Sequence, residues 1–177
     1  MQNRQLEQKI ACYLESCNTI SLATAVGGIP HAAAVFYVSI GFNLYFLSSP
    51  KSRHGDNLIQ NPTVSGTINE DYSNWLQIKG IQLEGRVECI GGILKQARIA
   101  KSYVKKFPNV ADFLISPHKL GKGIAQKVSS VKFYQIWPVK ICFLDNSLGF
   151  GHKEELNILW PAPRSNSDGP GAADKNR

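Results

Sequence analysis

Three stretches of the sequence gather side chains able to do chemistry. In the first, Ser48-Ser49-Pro50-Lys51-Ser52-Arg53-His54, hydroxyls and cations collect where a strand-like run gives way to a helix-like one. The free amides and positive dipole end of a helix starting there add to the Arg53 charge, and together they suit a phosphate group. A polar turn whose Ser52 only caps the helix has the same composition. In the second, His31-Ala32-Ala33-Ala34-Val35-Phe36-Tyr37, three alanines occupy a strand. Alanine forms strands poorly and leaves the backbone bare, so a flat aromatic ligand could lie there and take hydrogen bonds from the amides. Packing by an N-terminal helix would fill the same space. In the third, Asp145-Asn146-Ser147-Leu148-Gly149-Phe150-Gly151-His152-Lys153, polar groups flank an aromatic ring, and two glycines permit unusual backbone angles. A functional loop and a simple turn fit this stretch equally.

Other chemistries lack their residues. The glycines of the third stretch miss the last glycine and the βαβ setting of a dinucleotide fingerprint. Leu120-Gly121-Lys122-Gly123-Ile124 is not a phosphate-binding P-loop, and no Gly-x-Ser-x-Gly elbow supports a serine hydrolase. Cys12, Cys17, Cys89 and Cys142 have neither the Cys-x-x-Cys nor the Cys/His spacing of a zinc site. They read as reduced thiols, and no metal is assigned.

A chain of 177 residues suits one domain with a small addition. With 43% hydrophobic and 19% charged residues it is ordinary globular material rather than disordered or fibrous. No run of about 20 apolar residues could span a membrane, and Met1–Ile10 lacks the apolar core of a signal peptide. A cytoplasmic protein without a membrane partner is expected. The net charge of +7 is unevenly spread: residues 95–140 hold ten cations against Asp112 alone, a local charge of +9, leaving −2 elsewhere. Such a field attracts anions, although a solvated helix face plus a loop has the same pattern.

The elements that must position these residues follow from periodicity. Leu6, Ile10, Tyr13, Leu14 and Cys17 share one helical stripe, predicting a helix over 2–16. Strand-like runs occupy 19–26, 31–40 and 44–48, joined by short glycine turns that force antiparallel neighbours. A short helix over 53–60 stops at Asn61-Pro62, and strands follow over 64–69 and 76–90. A second amphipathic helix runs through Ile93, Ala97, Ala100, Val104 and Phe107 to Pro108. Residues 116–130 read as a basic, glycine-punctuated loop, 132–145 as a strand broken by Pro138, and 161–177 as a disordered tail behind a 1–160 domain. The fold class is mainly β (α+β): a six-stranded antiparallel split β-barrel with flanking helices, since closure removes exposed strand edges.

The Gly28-Ile29-Pro30 turn, the hairpin after it and the Arg-x-x-x-Asn-Leu-x-x-Asn-Pro stretch from Arg53 to Pro62 occur in an order and spacing similar to one family. The chain resembles the FMN-binding split β-barrel proteins related to pyridoxamine 5′-phosphate oxidase. The 145–153 stretch resembles, more narrowly, a subfamily of small, poorly characterised bacterial members. The resemblance covers about residues 5–156. It implies that Ala33, Val35 and Phe36 lie along the flavin ring, and that Ser48, Arg53 and His54 hold the ribityl phosphate. It also implies that residues 79–82, Gly80 and Gln82 among them, approach the ring from a neighbouring strand. His54 stands where better-known members often carry lysine, a pH-dependent substitute. The family's cofactor sits at a homodimer interface, so partner contacts are implied, with 146–153 as candidates.

The reading that follows is a homodimeric FMN flavoprotein, an oxidoreductase acting on a small-molecule redox substrate. The cofactor would carry the redox chemistry while the chain positions it. No side chain is assigned as acid or base; Tyr37, Trp75 and His152 are candidates for the space above the ring. One alternative is a non-catalytic binding protein on the same barrel, using residues 95–140 for an anionic partner. Nucleic acid is disfavoured there, because beyond Tyr103, Phe107 and Phe133 aromatic residues do not interleave with the cations. A second alternative places haem or a deazaflavin in the barrel, as the wider family does.

Overall fold

The computed structural model describes residues 2–112 and 130–159. The loop expected over 116–130 (Ser130 apart) and the tail expected over 161–177 lie outside the described residues. Helix α1 (Gln2–Ser16) buries Leu6, Ile10, Tyr13 and Leu14, with Cys17 just beyond it, as their spacing requires. Strands β1 (Thr19–Val26), β2 (Ile29–Ile40) and β3 (Asn43–Ser48) form a meander, turning at Gly27-Gly28 and Gly41. Those glycines hold φ values of +58°, +78° and +60°, a region L side chains avoid. Helix α2 (Arg53–Gln60) is capped by Ser52 and leads into β4 (Thr63–Asn69) and β5 (Lys79–Cys89). Helix α3 (Ile93–Lys106), β6 (Lys132–Asp145) and β7 (Lys153–Asn157) complete the order.

All pairings are antiparallel, in the order β3-β2-β1-β4-β5-β6-β7. A further pairing of β3 with β6, from Leu44↔Ile136 to Ser48↔Lys132, closes six strands into a barrel. Strand β7 lies outside that ring, on β6 alone. The expected six-stranded barrel is therefore present, with one strand more.

Two expectations on the strands are corrected. Residues 76–78 precede β5, because Asn74 accepts from the Leu76 amide at 3.0 Å and starts a 3-10 turn, Trp75–Gln77. Pro138 does not break β6. It sits opposite Gly85, where the register slips so that Glu84 pairs with Lys140 and Val139 bulges out. On its other edge β6 changes partner there, from β3 (through Ile136) to β7 (from Lys140). A residue without an N–H is tolerated at such a gap. Only glycine fits opposite: a Cβ on Gly85 would collide with the Trp137 carbonyl oxygen.

Alternation along the strands divides the molecule. Ile20, Leu22, Val35, Tyr37, Leu44, Phe46, Ile68, Ile81, Leu83, Ile136 and Ile141 fill the barrel, and α1 adds its buried face to this core. A second apolar cluster, Val38, Tyr45, Ile90, Ile99 and Tyr103, lies outside it, under α3. The buried face of α3 differs from the expected stripe: Ile99 and Tyr103 are buried, whereas Ile93 is 85% exposed. Polar anchors set this rotation. The Tyr103 hydroxyl lies 2.8 Å from the Phe36 carbonyl and 2.9 Å from the Tyr45 carbonyl, sharing its proton between them. The Lys106 ammonium donates to the Cys17 carbonyl at 2.6 Å and the Leu14 carbonyl at 3.4 Å, over the Tyr37 ring. It thereby caps the negative end of α1. Burial holds the Lys106 pKa below the usual lysine range, opposed by the Cys17 and Glu15 groups.

Tyr103→Phe keeps the ring and removes the hydroxyl, leaving two strand carbonyls without that donor. We expect a loss of about 1–2 kcal/mol in urea unfolding, the range for a buried hydrogen bond. A variant as stable as the parent would show that the Tyr103 hydroxyl does not hold α3.

Candidate functional site

Strand β2 presents two faces. Ala32, Ala34 and Phe36 point outward and are exposed, while Val35 and Tyr37 point into the barrel and are buried. Ala33 is on the inner face, in register with the buried Leu22. The outer side of the alanine run is thus bare, and α1 does not cover it.

At the end of β3 the chain turns into α2 through a small polar network. The Ser52 hydroxyl donates to the Ser49 carbonyl at 2.7 Å and accepts from the Gly55 amide at 3.1 Å. The Ser48 hydroxyl lies 3.2 Å from the Ser52 oxygen and 2.6 Å from His54 Nε2. With the single Ser52 proton committed to Ser49, Ser48 must donate to Ser52, and His54 Nε2–H must donate to Ser48. With this sharing the imidazole donates to Ser48 rather than accepting its proton. Its neighbour His31 stacks on His54 with ring centroids 6.3 Å apart and planes at 9°. Burial, and secondarily the charge of His31, lower the His54 pKa from 6.5. The Arg53–Pro62 stretch shows how α2 is held: Asn57 donates to the Thr24 hydroxyl at 3.0 Å, and Asn61 to the Ala25 carbonyl at 3.0 Å.

These two features meet in one groove of about 730 Å³. It is lined by Ala34, Val35, Phe36, Leu47, Ser48 and His54 on the barrel side and by Tyr103, Phe107, Asn109 and Val110 on the other. Four of the eight residues expected to contact a ligand, Val35, Phe36, Ser48 and His54, therefore share one cavity. Arg53 is exposed at the first position of α2 and is not among the lining residues. Ala33 faces inward and could serve such a ligand only through its backbone. Gly80 and Gln82 lie on β5, separated from β2 by β1 and β4. Gln82 borders a different hollow, of about 430 Å³, with Ala32, Ser65, Thr67, Lys140 and Lys153.

The sequence reading does not anticipate the second wall, because it places Phe107 on an ordinary helix stripe and counts Tyr103 only among the aromatic residues near the cations. Their i, i+4 aromatic spacing was the available signal. Tyr37, a candidate for the space above the ring, is corrected: it is fully buried and donates to the Leu14 carbonyl at 2.9 Å. The 145–153 stretch is a hydrogen-bonded clasp. Asn146 donates from its side chain to the Trp75 carbonyl at 2.8 Å and from its backbone to Ile78, and its side-chain oxygen accepts from Gly151. The clasp holds Trp75 and Phe150 edge to face at 5.3 Å, 58% and 82% exposed. Among the described residues no group of three or more potential metal ligands occurs, and no helix is long and apolar enough to cross a membrane.

Comparison with known proteins adds to this geometry. A family model for pyridoxamine 5′-phosphate oxidase matches residues 6–132. A UPF0306 protein of Klebsiella pneumoniae is 34% identical over 125 residues, 68% of this chain and 72% of its own length. One from Photorhabdus laumondii is 32% identical over 158 residues, 86% of this chain and 94% of its own. A Listeria innocua structure provisionally described as a pyridoxamine 5′-phosphate oxidase superposes with a TM-score of 0.62 at 22% identity, covering 80% of this chain and 99% of that one. A heme-binding protein of Mycobacterium smegmatis gives 0.64 at 21%, covering 85% and 56%. A FAD-binding protein of Mesorhizobium loti gives 0.59 at 18%, covering 76% and 90%. At these identities the solved structures share the fold.

The lowered His54 pKa has a sign in stability. A histidine below its unfolded value of 6.5 binds fewer protons when folded, so its contribution is complete above 6.5. The contribution is lost as pH falls through the lowered folded value. His54→Gln should therefore soften the fall of unfolding free energy on acidification below 6.5, read from urea titrations across that range. An unchanged pH profile would place the titration elsewhere.

Proposed function

The chain belongs to the pyridoxamine 5′-phosphate oxidase family, and from that premise we propose that it binds FMN in the groove and serves as a homodimeric oxidoreductase of a small redox substrate. One observation carries the reading: a single cavity joins the bare outer side of the alanine strand to the Ser48–Ser52–His54 network at the start of α2. Its volume of about 730 Å³ falls within the range of about 300–1,000 Å³ usual for cofactor sites.

The residues present fit the group. Backbone amides beside Ala34 and Phe36 would meet the ring edge, with Phe107 and Val110 facing its apolar part. At the polar end, Ser48 can turn its proton from Ser52 toward a phosphate oxygen while His54 Nε2–H donates beside it. The first amides of α2 add donors without intrahelical partners. Exposed Arg53 contributes charge at the rim. A bound flavin would supply the ability to accept and return an electron pair; the chain's part is to bind it, orient it and keep one face dry. Because Gly80 and Gln82 lie outside the groove, their contacts with a ring would come from a second copy. The exposed Trp75–Phe150 pair is the surface we assign to that approach. Haem is the second reading, favoured by the heme-binding neighbour and by the His54 imidazole in the cavity wall.

The test compares FMN with riboflavin, which lacks the phosphate. Ser48→Ala and His54→Ala should each weaken FMN binding by about 1.5–3 kcal/mol, the range for hydrogen bonds to a charged group, and leave riboflavin unaffected. Arg53→Ala, at an exposed position, should lose only about 1 kcal/mol or less. The spectrum of the purified protein separates flavin bands from a Soret band. Equal losses for FMN and riboflavin, or no uptake of either, would remove the phosphate assignment.

A further inference from the structure

Helix α3 turns one of its cations inward and leaves the others exposed. Lys106 turns inward onto the carbonyls ending α1. Lys95, Arg98, Lys101 and Lys105 are exposed, the helix sequence contains no carboxylate, and among the described residues none of the four enters an ion pair. Lys95 lies 5.8 Å over the Trp137 ring, Arg98 acts on the Tyr45 hydroxyl against the larger effect of its burial, and Lys105 borders a hollow shared with Glu15. Leu94, Arg98, Lys101 and Lys105 follow one helical stripe about 16 Å long. At its start Ile93 and Leu94, adjacent in sequence and of types most often buried, are 85% and 89% exposed. The opposite side of the same helix, through Tyr103, walls the groove, as does Phe107 just beyond it.

We infer that this outward face of α3 is the docking surface for an acidic electron-transfer protein that reduces the flavin; the inference rests on the flavin reading above. Two aliphatic side chains beside a row of cations match the anatomy of a transient interface, an apolar patch with a charged surround. The face is small, which suits the weak redox encounters that bury under about 1,200 Å². Charge complementarity supplies orientation and speed rather than lasting affinity. Nucleic acid fits less well: it would leave Ile93 and Leu94 without a partner, and the stripe has no ring on which to stack a base. An anionic lipid surface would ask for more apolar area than two side chains. In each encounter the partner is oxidised by one electron; two encounters supply the electron pair, and solvent supplies the proton.

The experiment titrates the full-length protein with reduced plant-type ferredoxin and with reduced flavodoxin, two acidic probes, at about 20 and 200 mM salt. Binding is followed by NMR shifts and flavin reduction by absorbance. We expect dissociation constants in the micromolar range for at least one probe, and weakening of about tenfold or more between the two salts. Arg98→Glu combined with Lys101→Glu should weaken binding by about tenfold, and Ile93→Ser combined with Leu94→Ser by about threefold or more. Reduction by dithionite, which needs no docking, should stay unchanged in both variants. The inference is overturned if neither probe binds at low salt, if the charge reversal leaves binding intact, or if duplex DNA or phosphatidylserine vesicles bind more tightly than either probe at 200 mM. A protein that holds no flavin yet binds ferredoxin through α3 would defeat the flavin reading and leave the docking surface standing. Bound flavin with indifferent probes would do the reverse.

Discussion

The pairing of β3 with β6 is the constraint on which the rest depends. Without the five register pairs from Leu44↔Ile136 to Ser48↔Lys132, the sheet would be open, and the interior side chains of β2 and β3 would lose a wall. Closure also fixes the end of β3. Ser48 is the last residue of that strand and the first of the polar network, so the hydroxyl facing His54 is placed by the ring itself. The turn after it inherits this position, and α2 is fastened back onto β1 by Asn57 and Asn61. Rigidity at the polar end of the groove is thus a property of the barrel rather than of a loop.

The apolar end is built differently. Helix α3 docks through few but directional contacts: the Tyr103 hydroxyl onto carbonyls of β2 and β3, and the Lys106 ammonium onto the end of α1. Apolar burial alone does not specify helix rotation closely, because Ile93, Val104 and Phe107 could have formed a face as plausible as Ile99 and Tyr103. Buried polar groups must find partners, and satisfying them selects one rotation. That rotation turns Tyr103 and Phe107 toward the groove and leaves a row of cations outside.

Much of the fold was legible. Residues of α1 show their period, the glycine turns mark the meander, and short connections demand antiparallel order. Pro138 misled because a proline in a strand is normally read from one chain, while its tolerance depends on Gly85 opposite and on a change of partner along β6. β7 was invisible for a related reason: Lys153–Asn157 has only Leu156 as a buried apolar residue, and its strand character is conferred by β6. For the site, the Ser48–His54 stretch could be read because its parts are adjacent in sequence. The Tyr103 wall could not, since it reaches β2 across 67 positions of chain. Gly80 and Gln82 came from the family resemblance alone, and within one subunit they belong to another part of the sheet.

Along one edge β6 has two successive tenants, β3 and then β7, with Trp137, Pro138 and Val139 between them. The circuit of hydrogen bonds around the barrel passes through the first and bypasses the second. Strand β7 is therefore a flange bolted to a hoop, and the closure of the hoop does not run through it. Its loss would give up the shelter of Leu156, five register pairs and the ion pairs of Glu154 with Lys9 and of Glu155 with Lys140. An architecture of this kind allows the chain beyond Asp145 to diversify in length and chemistry on a schedule of its own.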